Sequence, residues 1–392
     1  MKILLVNDYA TPTGGAELIM LALRKQLRLL GHDARLFASS AKPLNQEIQA
    51  DYQCLGTTSK FRTLLQSANP WAYQKLAQVL SEFKPDVVHV RIFLTQLSPS
   101  ILPLLINIPT IYHVAWYRSI CPLGTKQLPT GEICQHSVGT ACYQNKCLPI
   151  HDWLPLMVQM KLWQRWRKAF NLVVANSHAV KDSLVAQGIK PVKVVWNGIE
   201  IRAARSPLQT PPTVAFAGRL VWEKGVDILI EAFSKVQKKI PSAHLLIAGK
   251  GEAEASLKSL IKQLGLQNQV TLLGHLSRPM LEEKLSQAWV QVVPSRWAEP
   301  FGIVAIEAMM RGSAVIATDA GGLREIVRHQ QTGLLIPSEN VESLTNAILR
   351  LLSDRNLAEQ MGQQGREIAL AHFTETHFVD QFIDLYHQIA VN

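Results

Sequence analysis

Short runs of consecutive apolar residues alternate along this chain with longer stretches in which apolar positions recur every three or four residues. The first pattern is that of a strand buried on both faces, the second that of a helix with one apolar side. In the first half the runs fall at 3–6, 34–38, 87–90, 110–113 and 172–175, with a helix over 16–30 closed by Gly31. In the second half they fall at 213–217, 244–248, 270–273, 290–294 and 314–318, with helices over 226–233 and 303–310. This alternation predicts α/β layers around parallel sheets, one doubly wound domain in each half. Prolines at 207, 211 and 212 interrupt any regular element between 202 and 212, so the seam is expected there. A last helix is expected over about 374–390, and no internal repeat or low-complexity tract is visible.

Composition narrows the class. With 392 residues, 47% hydrophobic and 18% charged, the chain suits two globular domains of ordinary size. No apolar run approaches the roughly 18 residues of a membrane span. The opening residues 1–8 read as a buried strand rather than a signal peptide, which predicts a cytoplasmic protein. The net charge of +10 is uneven: residues 1–200 hold 21 Lys and Arg against 11 Asp and Glu, and residues 201–392 hold 19 against 19. A basic half is drawn to anionic surfaces, a membrane leaflet or nucleic acid. No recognition motif for nucleic acid is present, so a nucleic-acid partner is not expected. Over 153–170, Lys161, Arg165 and Lys168 recur beside Trp163, Trp166 and Phe170. That composition fits either a peripheral membrane helix or a domain helix that buries its aromatic stripe.

Candidate chemistry concentrates in the second half. Between Ser295 and Met310 two carboxylates, Glu299 and Glu307, stand eight positions apart across the start of a helix. Pro300 fits a helix start, and the backbone N–H groups around Phe301, Gly302 and Ile303 point out of that N-terminus, where helix geometry favours an anion. Glu307 lies about two turns further in, too deep for a routine solvated charge without a hydroxyl or cation to bind. Upstream, a strand runs into Gly218, Arg219 and Leu220, then Lys224 and Gly225 ahead of a helix. Such strand-to-helix loops are where open α/β sheets bind ligands, and two cations there suit a diphosphate. In the first half, Gly14 and Gly15 make a tight turn before a helix but lack the G-x-G-x-x-G of dinucleotide binding.

Taken in order, Gly14-Gly15-Ala16-Glu17, Asn176-Ser177, Asn197-Gly198, Gly218-Arg219-Leu220 with Lys224-Gly225, Gly249-Lys250-Gly251, Glu299-Pro300-Phe301-Gly302 with Glu307, and Gly321-Gly322 resemble glycosyltransferase family 4. This family comprises retaining nucleotide-sugar transferases of the GT-B fold, two Rossmann-like domains facing across a cleft. The resemblance implies an acceptor-side domain over 1–205, a nucleotide-sugar domain over 206–372, and a C-terminal helix, 373–392, crossing back to the first. It implies transfer of a hexose from a UDP-, GDP- or ADP-sugar to a hydroxyl of a glycan, a lipid-linked glycan or a small metabolite. The donor residues it implies are Gly14, Gly15, Gly218, Arg219, Lys224, Gly249, Lys250, Ser295, Glu299, Pro300, Phe301, Gly302, Ile303 and Glu307. Of these, Arg219, Lys224 and Glu299 act in catalysis with His113, which is expected at the end of its strand on the sugar or acceptor side. Arg91 stands where many relatives carry a histidine or small polar residue, a departure that points to an anionic acceptor. No metal is expected in catalysis, since the donor half has no Asp-x-Asp. An epimerase or phosphorylase of the same fold is the alternative reading.

Four of the five cysteines, Cys121, Cys134, Cys142 and Cys147, cluster within an insertion at about 118–150, with 12, 7 and 4 residues between them. In a reducing compartment such a cluster points to structural zinc ahead of disulfides or inert thiols, although no C-x₂-C pair is present.

Overall fold

The computed structural model describes residues 1–12, 14–42, 47–59 and 62–390, so Thr13 of the first loop and the last two residues lie outside the description. The chain divides into two compact units, Met1–Gly198 with Glu375–Asn392, and Ile199–Thr374. The division falls at Gly198, ahead of the proline-rich stretch where the seam was expected.

The first unit is built on seven parallel strands: β1 (Lys2–Val6), β2 (Asp33–Ser39), β3 (Tyr52–Cys54), β4 (Val87–Val90), β5 (Thr110–Val114), β6 (Leu172–Ala175) and β7 (Val192–Val194). Their order in the sheet is β3-β2-β1-β4-β5-β6-β7. Strands β4, β5 and β6 are buried throughout, which is why they read as unbroken apolar runs. The final helix, Glu375–Ala390, belongs to this unit, and its Phe378, Val379, Phe382, Leu385, Tyr386 and Ile389 recur at helical spacing on the buried side.

The second unit holds six parallel strands: β8 (Thr213–Ala217), β9 (His244–Ala248), β10 (Val270–Gly274), β11 (Val290–Val293), β12 (Ala314–Thr318) and β13 (Gly333–Ile336). The order is β10-β9-β8-β11-β12-β13, so the winding reverses between β8 and β11. In the first unit it reverses between β1 and β4. At such a reversal the loops leaving the two central strands splay to opposite faces and open a crevice at their carboxyl ends, which is where open α/β sheets bind ligands.

Candidate active site

In the second unit the loops after β8 and β11 carry the residues singled out from the sequence. The β8 loop runs beside the β9 loop: Gly218 N–H donates to Ala248 O at 3.0 Å and Leu220 N–H to Lys250 O at 2.9 Å. A Cβ on Gly249 would lie 1.8 Å from the carbonyl oxygen of Gly218, and one on Gly251 2.2 Å from that of Leu220, so this contact requires glycines. Arg219 and Lys250 project from the paired loops into solvent. One short turn later, Lys224 precedes Gly225, which takes φ +63° and packs where a Cβ would meet Pro294 O at 2.1 Å.

Lys224 Nζ lies 2.5 Å from Glu299 Oε1 and 5.5 Å from the centroid of the Trp297 ring. Ser295 Oγ donates to the same carboxylate oxygen at 2.7 Å. Burial pushes the Glu299 carboxyl up, but Lys224 and Ser295 more than offset this and hold it below the ordinary carboxylate value. Behind it, the glycine pair fits against the loop: Gly322 N–H donates to Glu299 O at 2.8 Å, and Gly321, at φ +58°, sits where a Cβ would be 2.3 Å from that oxygen. Pro300 and Phe301 are buried, and Gly302, at φ +114°, starts the helix Ile303–Arg311 without any side-chain cap. Ala305 N–H donates to Gly302 O at 2.9 Å, and the N–H groups ahead of it lie outside the intrahelical ladder by geometry.

About one turn into the same helix, Glu307 is ion-paired with Arg202 at 2.8 Å and Arg278 at 3.5 Å. Arg202 also pairs with Glu282, which in turn meets Arg311 at 3.1 Å. Both predicted carboxylates therefore have cationic partners, and neither is a bare nucleophile.

Sequence reasoning passed over Arg296. Its guanidinium clasps both oxygens of Asp227 at 2.7 Å, reaches Glu339 at 3.0 Å and donates to Trp222 O at 2.8 Å. It ties the β11 loop to the turn that carries Lys224. An arginine one position after Ser295 gives no sequence cue, because its partners lie far away along the chain.

In the first unit Gly14 and Gly15 open the helix Gly15–Leu29, and Glu17 folds back so that its carboxylate lies 2.6 Å from where a Cβ on Gly14 would sit. The expectation for His113 changes here. β5 runs on to Val114, so His113 lies inside the strand, fully buried, with its ring 4.8 Å from Phe382 of the final helix. Its ring nitrogens meet Arg91 Nη1 at 2.7 Å and His89 Nε2 at 3.2 Å, and His89 Nδ1 meets the Tyr386 hydroxyl at 2.5 Å. His113 is enclosed by His89, Arg91, Phe378 and Phe382. Arg91 is also buried, its Nη2 donating to Asn197 Oδ1 at 3.1 Å, and burial pushes its pKa down to about 9.

The family described as "Glycosyltransferase Family 4" matches residues 13–203, and that described as "Glycosyl transferases group 1" matches residues 199–368. The chain belongs to the family 4 type of GT-B glycosyltransferases. Among curated relatives, an uncharacterised glycosyltransferase of Methanocaldococcus jannaschii is 30% identical over 218 residues, 54% of this chain and 55% of that one. The alpha-D-kanosaminyltransferase of Streptomyces kanamyceticus is 30% identical over 187 residues, 48% of each chain. The chain thus spans about half the length of the curated relatives it matches. Among solved structures, a sucrose-phosphate synthase from Thermosynechococcus elongatus shares the fold with a TM-score of 0.78 at 23% identity, over 99% of both chains. Anabaena HepE, solved with UDP-glucose, gives 0.72 at 22%, over 99% of this chain and 100% of that one.

Within this family 4 type chain, the basic helix Ile150–Trp166 turns Trp163 to the interior and leaves Trp153 and Trp166 half-buried. Trp163 is buried, donates through Nε1 to Ser119 O at 2.9 Å and packs against Phe93, Tyr112 and Phe170. Lys161, Arg165 and Lys168 are exposed. Among the described residues no helix is long and apolar enough to cross a membrane. The four clustered cysteines are free thiols of intermediate exposure. As the side chains stand, no three His, Cys, Asp or Glu groups among the described residues form a metal-holding set.

Proposed function

We propose that the chain transfers a hexose from a nucleoside-diphosphate sugar to an acceptor hydroxyl with retention of anomeric configuration. The observation that carries this is the buried Lys224–Glu299 pair at the β8/β11 reversal, beside the uncapped start of the helix Ile303–Arg311. Arg219, Lys224 and the N–H groups of Phe301, Gly302 and Ile303 hold the diphosphate, where charge accumulates as the glycosidic bond breaks. Glu299 takes sugar hydroxyls, Glu307 the ribose diol, and Lys250 with the β10 end borders the base. The C1–O bond gives its electron pair to the leaving phosphate, the acceptor oxygen attacks from the same face, and its proton passes to that phosphate. Front-face attack is favoured because Glu299 and Glu307 are each neutralised by a cation and so are poor nucleophiles. No metal is assigned to the reaction.

The nucleoside-diphosphate class is supported by the family and by the fold shared with the UDP-glucose-bound Anabaena protein. Calorimetric titration with UDP, GDP and ADP tests it. Micromolar binding of one nucleotide, lost in Glu307→Ala, is expected, and no binding of any would overturn the donor site. Proton NMR of the first-formed product then reads its anomer. An inverted product refutes front-face retention, and an epimerised free donor favours the epimerase alternative.

A cytoplasmic protein bound peripherally to an anionic membrane is proposed as its setting. The support is an exposed stripe of Ile150, Leu154 and Val158 at four-residue spacing, on the helix that carries Lys161 and Arg165.

A further inference from the structure

We propose that Cys121, Cys134, Cys142 and Cys147 form a structural zinc site that clamps the segment between β5 and the helix Ile150–Trp166. This is independent of the transferase reading.

Residues far apart along the insertion converge. All four cysteines and His136 line one cavity of about 20 Å³, room for a single ion or water. Backbone turns bring them there. Gly124 N–H closes a turn onto Cys121 O at 2.9 Å. A hairpin, with Leu128 N–H on Glu132 O at 2.8 Å and Cys134 N–H on Lys126 O at 2.9 Å, returns Cys134 to the start of the segment. The N–H groups of Cys147 and Leu148 then both donate to Cys142 O, at 3.1 and 3.2 Å, folding the last two cysteines towards each other. Their four-residue interval lies within the spacing common for zinc-ligating cysteine pairs.

The segment also lacks another means of holding its shape. Between 121 and 148 only Pro122, Gly124, Gln127 and Leu148 are buried, and the nearby apolar cluster is small, centred on Leu148, Leu156 and Met157. Fixing each backbone residue costs roughly 1–2 kcal/mol, which so few buried side chains cannot offset, and short segments without a core are commonly held by a metal or a cross-link. As the side chains stand, the sulfurs are not at ligand geometry. Closing the site therefore requires side-chain rotation and a small tightening of the hairpin around the shared cavity.

The test is elemental analysis and native mass spectrometry of the full chain purified under reducing conditions. The expected result is about one zinc per chain, retained in Cys54→Ser and lost in the double variant Cys142→Ser with Cys147→Ser. Trypsin cutting after Lys126 and Lys146 should accelerate once the metal is stripped and slow again when zinc alone is restored. Should the double variant fail to fold, cobalt titration of the stripped wild type decides, because thiolate-to-cobalt charge-transfer bands count the bound sulfurs. Absence of zinc together with no cobalt–thiolate bands overturns the site. So does a thiol assay in denaturant, on protein purified without reductant, that finds the four cysteines paired as disulfides.

Discussion

Glu299 and Lys224 are each other's nearest partner, and the chemistry of both depends on that contact. Glu299 has a pKa held below its ordinary value in the folded chain, so the unfolded chain binds its proton more readily. The pair's contribution to stability is then fully present above the ordinary carboxylate pKa of about 4.3 and is lost as pH falls through the lower folded value. The gap in melting temperature between wild type and Glu299→Gln should shrink as the pH drops below about 4, and an unchanged gap at pH 3 would contradict the assignment. Lys224→Ala should slow turnover by roughly 10²–10³, as for loss of one donor to a developing anion. Turnover and nucleotide affinity both near wild type would remove Lys224 from the diphosphate site. The residues that meet around Lys224 and Glu299 were legible as candidates because glycines, prolines and charges cluster there in the chain. His113 was expected at the end of its strand, whereas β5 runs one residue further and the side chain is buried against the final helix.

The elements hold the site through backbone contact and one guanidinium strut. Arg296→Ala should loosen the turn before Gly225, raise the donor KM more than it lowers kcat, and cost about 1–2 kcal/mol. That is less than for a fully buried pair, because Asp227 and Glu339 are partly exposed. Steady-state kinetics with a urea melt separate the two effects. Gly249→Ala and Gly265→Ala make a sharper contrast. The first puts a Cβ against a backbone oxygen of the β8 loop, and the second, at φ +70°, meets nothing within 4 Å. Gly265→Ala should cost only the left-handed penalty of about 1–2 kcal/mol, whereas Gly249→Ala should also abolish nucleotide binding. Equal costs with binding intact would mean the loops are not pressed together. The central strands were readable as apolar runs, but β3, β7 and β13 were not. All three lie at sheet edges, β3 and β7 have partly exposed patterns, and β13 opens on Gly333, which packs against Val315 O.

At the scale of the whole molecule, each unit carries its own core, and the first is completed by the end of the chain. Phe382 packs against both His89 and His113, at 4.7 and 4.8 Å between ring centroids. Phe382→Ala should destabilise the first unit by about 3–5 kcal/mol. Hydrogen exchange would show protection lost in β4 and β5, while nucleotide affinity of the second unit holds. Loss of nucleotide binding instead would show that the donor unit depends on that helix. The sequence by itself determined the alternation of strands and helices, the two-part organisation and the cluster of glycines, prolines and charges at the candidate site, because these rest on local periodicity and on short-range patterns. Only the tertiary structure decided that Lys224 neutralises Glu299, that Arg202 and Arg278 meet Glu307, that Arg296 braces the loops and that the clustered cysteines line one cavity. The ion pairs join residues tens of positions apart, and no local pattern records which partner a buried charge will find.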